Sequence, residues 1–453
     1  MEKPISADMA KLKEQLNTKG VKHLFASYVD MHGVSKSKVV PIAHFDRMMS
    51  GSELCTGAAL EGVPQDVSDE EVAAHPDPAS CMVLPWQRDT AWFASDLWCE
   101  GKPFEPCSRN ILGRQMARAK NMGFTFNLGI EAEFFVLKDD ATHRFVPMSD
   151  RKHLEKPAYD VARMLDNMGW MSELVAAMNE LGLDVYSFDH EDGIGQFEVD
   201  FNYFDALAMS DRFVFLRLMA HEIARKYGGF ATFMPKPYGD RAGSGAHFNM
   251  SLADAKTGKN LFAEDNDPRN LGISKLAYQF IGGVLRHLPA ICAVVAPTVN
   301  SYKRLILKGS MSGFTWAPVW ACYGNNNRTN TVRIPRGGGR VELRAADSAC
   351  NPYLGPAMAL AAGLEGIEQG IDPGDPHLDN MYLKSDTELK ALGVKRLPKT
   401  LDEAVDAFEA DPLSEQVFGK VMRDTWIDFK RDEWLSYLNH VSDWEYSRYL
   451  KFF

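Results

Sequence analysis

The 453-residue sequence lacks several features that mark whole classes of protein. Its seven cysteines, an odd number without a Cys-x-x-Cys pair, indicate neither a disulfide framework nor a zinc knuckle. A net charge of -11 argues against the clustered Lys and Arg that nucleic-acid binding requires. The charged N-terminus has no apolar leader, and the longest apolar run, Ile291 to Ala296, is far short of the roughly 20 residues that cross a bilayer. We therefore expect a cytoplasmic protein with neither nucleic acid nor membrane as partner.

Two domains are predicted from chain length and from the pattern of elements. Residues 1–107 alternate short strand-like runs with Gly, Pro and Asp turns after one opening helix, which predicts a small β-rich domain. The stretch Gly101 to Pro106 is interpreted as a linker. Residues 108–453 alternate helical patterns with strands and end in amphipathic helices after Asp411, which predicts a larger domain and an α+β fold class overall.

Four segments of the larger domain place polar side chains on one side of a strand, because positions i, i+2 and i+4 share a face. The aligned residues are Glu131 and Glu133; Gln196, Glu198 and Asp200; His247, Asn249 and Ser251; and Arg340, Glu342 and Arg344. One such strand is usually a solvated sheet face, but four strands rich in Glu, His and Arg indicate a site. Carboxylates with a single imidazole suit hard divalent cations, Mg²⁺ or Mn²⁺.

Basic residues are concentrated in the same part of the chain. They are Lys303, Arg304, Arg328, Arg333, Arg336, Arg340 and Arg344. Arginine makes paired hydrogen bonds to carboxylate or phosphate, so the cluster predicts an anionic substrate beside a nucleotide. Divalent ions near arginines are typical of phosphoryl transfer.

A long motif gives these residues a context. The segment from Lys236 to His247, followed by Ser251, resembles the ATP-region signature of glutamine synthetases. GIEAEFF, HEDGIGQFE, NSYKRL, NNNRTNTVRIP, GRVELR and NPYL stand around it in the family's order, so the resemblance spans about residues 125 to 370. It implies an N-terminal β-grasp domain, a catalytic domain with an antiparallel sheet lining the active site, and a homo-oligomer, a dodecamer of two stacked hexameric rings.

The resemblance also implies roles for residues at matching positions. Glu133, Glu191 and Glu198 are expected to hold one metal, and Glu131, His247 and Glu342 the other. The expected ATP contacts are Ser251, Arg333, Arg340, Asn249 and Tyr203. The expected glutamate contacts are Glu133, Gly243, His247, Arg304, Arg328 and Arg344. Arg328, Glu198 and Arg333 are the expected catalytic residues.

One segment departs from glutamine synthetases. The family's Gly-aromatic-Glu-Ala-Pro segment, whose Glu helps to bind ammonium and take its proton, is replaced by Gly313 to Pro318, which is one residue longer and has no acid. An indole in place of a carboxylate favours an amine that carries apolar surface. Thr315, Trp316 and Glu191 are the expected amine pocket, although Trp316 is alternatively a packed core or subunit-interface aromatic. The family's N-terminal Asp-Gly-Ser-Ser segment, which supplies another amine-binding acid, is also missing, and Glu61 is a loose positional candidate for that acid.

Residues 312–328 look most like the branch of the family that contains glutamate-methylamine ligases. That resemblance implies an enzyme, an ATP-dependent ligase that joins the γ-carboxylate of L-glutamate to methylamine or another small alkylamine through γ-glutamyl phosphate, giving γ-glutamylmethylamide, ADP and phosphate. Three alternatives stay open: a glutamine synthetase using ammonium, a γ-glutamyl ligase for a larger amine, and a non-catalytic relative. Tyr382 stands where some glutamine synthetases are adenylylated, or is simply a helix-end aromatic.

Overall fold

The computed structural model describes residues 7–140, 145–151 and 155–453. Its strands are β1 His23–Val29, β2 Ser35–Pro41, β3 Glu53–Cys55, β4 Val72–Pro76, β5 Met82–Val83, β6 Thr90–Cys99, β7 Lys102–Pro103, β8 Phe124–Asp139, β9 Phe145–Pro147, β10 Val185–His190, β11 Gln196–Phe201, β12 Phe204–Asp205, β13 Phe230–Thr232, β14 Ala246–Asp254, β15 Trp320–Ala321, β16 Tyr323–Gly324, β17 Val332–Arg333, β18 Val341–Leu343 and β19 Lys395–Arg396. Its helices are α1 Ala7–Thr18, α2 Phe45–Met49, α3 Ser108–Asn121, α4 Val161–Glu180, α5 Ala206–Lys226, α6 Lys275–Val295, α7 Leu354–Glu368, α8 Asp386–Ala391, α9 Leu401–Ala410, α10 Pro412–Phe418, α11 Lys420–Asn439 and α12 Asp443–Tyr449. The predicted α+β class is confirmed.

A mixed sheet forms the N-terminal part of the chain. Its strand order is β2-β1-β6-β4-β3, with β5 and β7 also on β6, and β1 runs parallel to β6. The interpretation of Gly101 to Pro106 as a linker is wrong in part, because Lys102–Pro103 pairs back onto β6. Trp92 of β6 packs against Phe215 of α5, with ring centroids 5.4 Å apart. Apolar packing therefore continues across the predicted boundary at residue 107, which stays a prediction.

A larger sheet carries the polar strands. Its order is β10-β11-β8-β14-β18-β17-β16, and its pairs are antiparallel apart from β16 and β17. The register sets Glu198 opposite Glu133 and His247 opposite Glu131. Because directly opposed residues on one face lie close together, the polar residues of neighbouring strands form one band across the sheet. The segment around Glu342 is shorter than predicted, since β18 covers only Val341–Leu343.

Helices cover the opposite face of this sheet. Leu128, Ile130 and Phe134 of β8 alternate with the polar positions and are buried in the main apolar core. Helix α6 has the length and composition of a membrane span, but 78% of its apolar window is buried, which identifies it as a core helix. Gly283 lets α6 approach α7 closely, because a Cβ there would lie 2.0 Å from the Ala362 carbonyl oxygen. The helical layer is therefore packed tightly behind the polar band.

Candidate active site

Two neighbouring cavities lie over the polar band, and we name them by what builds them. The sheet cavity, about 310 Å³, is lined mainly by strand residues: Asn127, Gly129, Ile130, Glu131, Tyr186, Asp200, Phe201, Asn202, Tyr203, Asn249, Ser251, Asn260, Gly338, Gly339 and Arg340. The loop cavity, about 150 Å³, is lined mainly by connecting segments: Glu133, Ala158, Tyr159, Glu191, Asp192, Glu198, Ala242, Gly243, His247, Arg304, Thr315, Trp316, Ala317, Arg328 and Arg344. Glu131 and Glu133, two residues apart on β8, belong to different cavities, so the cavities meet along one strand.

One group of possible metal ligands combines Glu131, His247 and Glu342, whose ligand atoms lie within 4.8 Å of one another. His247 Nδ1 is 2.9 Å from Glu131 Oε2 and 3.6 Å from Glu342 Oε1. Burial, helped by Arg344, lowers the pKa of His247 well below its usual value. The imidazole is therefore neutral, which is the form that binds a metal ion. This grouping is the one that the sequence predicts.

A second group combines Asp189, Glu191 and Glu198. Sequence reasoning placed Glu133 here instead of Asp189. Glu133 lies beside the group, where its carboxylate accepts a hydrogen bond of 2.7 Å from the Gly245 amide. Asp189 stands opposite Glu198 in the register of β10 and β11. The signal for it was the spacing of Asp189 and Glu191, the same i, i+2 alternation that identified the other strands.

Burial, and after it the neighbouring acids, disfavour the charged forms of the carboxyl groups in the band. Burial raises the pKa of Glu133 to about 8, and the charge of Glu191 adds to the effect. Burial and then Glu133 raise the pKa of Glu198 well above its usual value. The pKa of Asp200 is raised to about 7, mainly by burial. A divalent cation relieves such repulsion, so this oxygen-rich donor set with one neutral imidazole fits Mg²⁺ or Mn²⁺.

The predicted ATP contacts separate into two places. Asn249, Ser251, Arg340 and Tyr203 all line the sheet cavity. The Arg340 Nε donates to Asn249 Oδ1 at 3.0 Å, so these two hold each other in place. Arg333 instead donates to Glu342 and, at 2.6 Å, to Asn326 Oδ1.

The sheet cavity also has lining residues that sequence reasoning did not identify as site residues. Tyr186 stands on a strand there and was not predicted, whereas Asp200 is one of the aligned polar residues to which the sequence analysis gave no individual role. Asn260 donates to the Gly339 carbonyl at 2.8 Å from a separate connection, and the sequence carries no pattern that joins those two segments.

The predicted glutamate contacts all line the loop cavity. Arg304 donates to the carbonyls of Ala345 and Arg344 at 3.0 and 2.9 Å, which fixes its guanidinium in the buried wall. Gly243 allows the loop to pack there, because a Cβ would lie 2.4 Å from the Pro235 carbonyl oxygen and 2.9 Å from Arg304 Cγ. A side chain at residue 243 would therefore push the loop away from this arginine.

Trp316 forms part of the loop-cavity wall together with Thr315 and Glu191. The backbone φ of Trp316 is +57°, a left-handed conformation that a bulky residue rarely adopts. Arg344 Nη2 donates to the Trp316 carbonyl at 3.0 Å, and Tyr382 donates through its hydroxyl to the Ala317 carbonyl at 2.7 Å. Trp316 is 41% exposed and is thus a wall residue of this chain, not a core aromatic. The hydroxyl of Tyr382 is engaged in holding that wall.

An acid does lie beside Trp316, although its own segment has none. Asp192 Oδ2 accepts a hydrogen bond of 3.2 Å from Trp316 Nε1 and another from the Ser312 hydroxyl. Sequence reasoning missed Asp192 because it follows β10 in a connection, where no periodicity relates it to residue 316. Glu61, the loose candidate, pairs with His32 at 3.2 Å in the N-terminal part of the chain.

Comparison with known proteins agrees with this geometry. A family model described as glutamine synthetase, catalytic domain, matches residues 105–449. The chain is 40% identical over 434 residues to the glutamate-methylamine ligase of Methyloversatilis universalis, covering 96% of this chain and 97% of that protein. It is 36% identical over 430 residues to the glutamine synthetase of Rhizobium leguminosarum bv. phaseoli, covering 94% and 96%. A solved GmaS/ADP complex superposes with a TM-score of 0.90 at 37% identity, covering 97% of this chain and 99% of that one.

Proposed function

This chain belongs to the glutamine synthetase family, and from that premise we propose that it is an ATP-dependent ligase joining the γ-carboxylate of L-glutamate to methylamine. The observation that carries the proposal is the pair of cavities meeting at Glu131 and Glu133. Two residues of strand span about 7 Å, so a nucleotide in the sheet cavity would present its terminal phosphate to a carboxylate in the loop cavity. Phosphoryl transfer between two such substrates needs this placement above all.

The reaction follows from the chemistry of the two substrates. A carboxylate oxygen of glutamate attacks the terminal phosphorus of ATP, ADP leaves, and the γ-glutamyl phosphate so formed has an electrophilic carbonyl carbon. A neutral amine then attacks that carbon and phosphate leaves with the bonding electrons. Arg328 lines the loop cavity and supplies positive charge for the phosphoryl oxygens, and Arg304 and Arg344 in its wall supply it for glutamate.

Divalent ions belong to this proposal, with Mg²⁺ or Mn²⁺ as the candidates. Glu131, His247 and Glu342 would hold one, and Asp189, Glu191 and Glu198 a second, with Glu133 alongside. Bound there, such ions neutralise phosphate oxygens and make the phosphorus more electrophilic. The residues themselves keep the ligand oxygens together and hold His247 neutral.

Methylamine is favoured over ammonium by the wall of the loop cavity. Trp316 presents an indole where glutamine synthetases have a carboxylate on the same segment, and an indole gains from contact with a methyl group but adds little for ammonium. The relative at 40% identity carries the name glutamate-methylamine ligase. Both observations support the same amine.

Assembly and location complete the proposal. Large apolar side chains are exposed along the C-terminal helices, among them Leu438, Trp444, Leu450 and Phe452. Such a surface supports a homo-oligomer, for which we propose a dodecamer of two stacked hexameric rings. Mass photometry tests this size directly. The seven free cysteines support a reducing, cytoplasmic environment.

The test of function is a comparison of kcat/KM for methylamine, ethylamine and ammonium with purified protein, ATP, glutamate and Mg²⁺. We expect γ-glutamylmethylamide as the main product and methylamine as the preferred amine. A strong preference for ammonium would identify a glutamine synthetase instead. ADP release that does not require both glutamate and an amine would contradict ligation altogether.

A further inference from the structure

The structure brings an unassigned carboxylate into the amine side of the loop cavity. Asp192 lines that cavity with Glu191, Thr315 and Trp316, and only 9% of its surface is exposed. Its backbone amide donates to Glu191 Oε2 at 3.0 Å, which fixes the start of the connection. Asp192 is therefore a buried acid held against the wall that faces the substrates.

The hydrogen bonds of Asp192 leave its charge uncompensated. Oδ2 accepts from the hydroxyls of Ser312 and Ser310, the latter at 3.4 Å, and from Trp316 Nε1 at 3.2 Å. These donors are all neutral, and no ion pair to Asp192 is found within the described ranges. A buried carboxylate normally has a cationic partner, because desolvating an unpaired charge is costly. Asp192 lines the loop cavity, from which a cationic ligand reaches it.

The neighbouring acids do not compete for the same ligand. Glu191 and Glu198 belong to a group of possible metal ligands, so their charges are directed at a metal ion. Asp192 is outside that group and adjoins the indole instead. Phe314 packs on Trp316 with ring centroids 5.2 Å apart, which extends the apolar wall. A charge and an apolar surface thus stand side by side.

Resting on the proposed function, we propose that Asp192 and Trp316 form the amine subsite, with Asp192 binding the ammonium head of methylammonium and Trp316 contacting its methyl group. Among the described residues no hydrogen bond to Asp192 Oδ1 is found, which leaves this oxygen free to accept an N–H of the cation. An aromatic face adds a further attraction for an alkylammonium ion. Asp192 thereby supplies the charge that the segment from residue 313 to 318 lacks.

A neutral nucleophile distinguishes two roles of Asp192. In one, its charge binds the ammonium head; in the other, its hydrogen bonds only hold the loop in place. Hydroxylamine has the size of methylamine but is mostly uncharged at neutral pH, and it also attacks γ-glutamyl phosphate. The variant Asp192→Asn keeps the side-chain shape and an acceptor for Ser312 and Trp316 but removes the charge. We expect its kcat/KM for methylamine to fall about 10- to 100-fold, while that for hydroxylamine changes about threefold or less. KM for ATP and glutamate should stay near the wild-type values.

Ser312→Ala is the matched control, because it removes a donor to the same oxygen and keeps the charge. Its two kcat/KM values should change together, with their ratio preserved. Trp316→Ala should lower the preference for methylamine over ammonium. Equal losses with both nucleophiles in Asp192→Asn would overturn the subsite and leave Asp192 as a brace of the loop. Wild-type protein that prefers ammonium over methylamine would refute the proposed amine. The ratio of kcat/KM for ammonium to kcat/KM for hydroxylamine, compared between Asp192→Asn and the wild type, would still test whether the charge of Asp192 binds the amine.

Discussion

The sheet cavity and the loop cavity differ in how their walls are made. Most residues of the sheet cavity stand on β8, β10, β11 and β14, where the pleat decides which side chains share a face. The loop cavity takes only Glu133, Glu198 and His247 from strands and collects the rest from separate connections. Backbone periodicity therefore fixes the wall of the sheet cavity, while tertiary hydrogen bonds fix the wall of the loop cavity.

The comparison predicts that damage to the strands stops phosphoryl transfer. Glu342 has no exposed side-chain surface and contacts His247, Arg333 and Arg344. We expect Glu342→Gln, which keeps the shape but removes one negative charge, to lower glutamate- and amine-dependent ADP release about 10³-fold. Because the change also breaks two buried ion pairs, the melting temperature should fall, and ADP release is compared at a temperature at which circular dichroism shows the variant folded. Activity within a few-fold of the wild type would contradict the assignment of Glu342 to the metal site.

A smaller loss is expected at Asp189, a possible metal ligand that the sequence analysis did not name. Asp189→Asn should weaken Mg²⁺ or Mn²⁺ binding about 10- to 100-fold, because one charged oxygen of the second group is lost. Calorimetric titration and the metal dependence of kcat measure the effect. Asp184→Asn, at an exposed position just before β10, is the control and should bind metal normally. If both variants bind the metal ion equally tightly, Asp189 is not a metal ligand.

In metal-free protein, the free energy of unfolding should depend on the protonation of the buried carboxyl groups in the polar band. The folded-state pKa values of Glu133, about 8, and Asp200, about 7, lie above those of the unfolded chain, which binds fewer protons at the same pH. The free energy of unfolding of metal-free protein should therefore fall as pH rises from about 4.5 to about 8, and Mg²⁺ should abolish the fall. Thermal melts in EDTA measure this change. A melting temperature that rises with pH over this range would contradict the prediction.

The smallest effect is expected on the loop side. Tyr382→Phe removes the donor to the Ala317 carbonyl and leaves the ring in place. A lost hydrogen bond of about 1 kcal/mol corresponds to roughly a fivefold rise in KM for the amine, with KM for ATP unchanged. Tyr227→Phe, which loses a surface hydrogen bond to Glu173, is the control. A change in KM for ATP alone would show that Tyr382 acts on the other cavity.

Much of the fold was predictable where elements are periodic. The opening helix, the strand around Glu131, and the C-terminal helices follow from local patterns and are confirmed. The short pairing of Lys102–Pro103 was not predicted, because two residues carry no periodicity of their own. The order of strands in the larger sheet likewise depends on contacts between distant segments.

The residues of the candidate site likewise fall into those that the sequence predicts and those that only the fold brings together. The resemblance to the family grouped Glu131, His247 and Glu342, and the structure brings them together. Asp192 could not be predicted, since its approach to Trp316 depends on how two connections fold against each other. The resemblance to a family identified the segment around Trp316 as a departure, but only the fold shows which side chain stands beside it.

Arg344 connects the two sides through one guanidinium. One nitrogen contacts Glu342 on β18, and another donates to the Trp316 carbonyl at 3.0 Å. Any ligand that shifts this side chain changes the free energy of both contacts, so binding of a metal ion at Glu342 and of an amine at Trp316 should alter each other's affinity by the same factor in both directions. Metal ion and amine would then bind non-additively, and replacing Arg344 would remove this route of coupling.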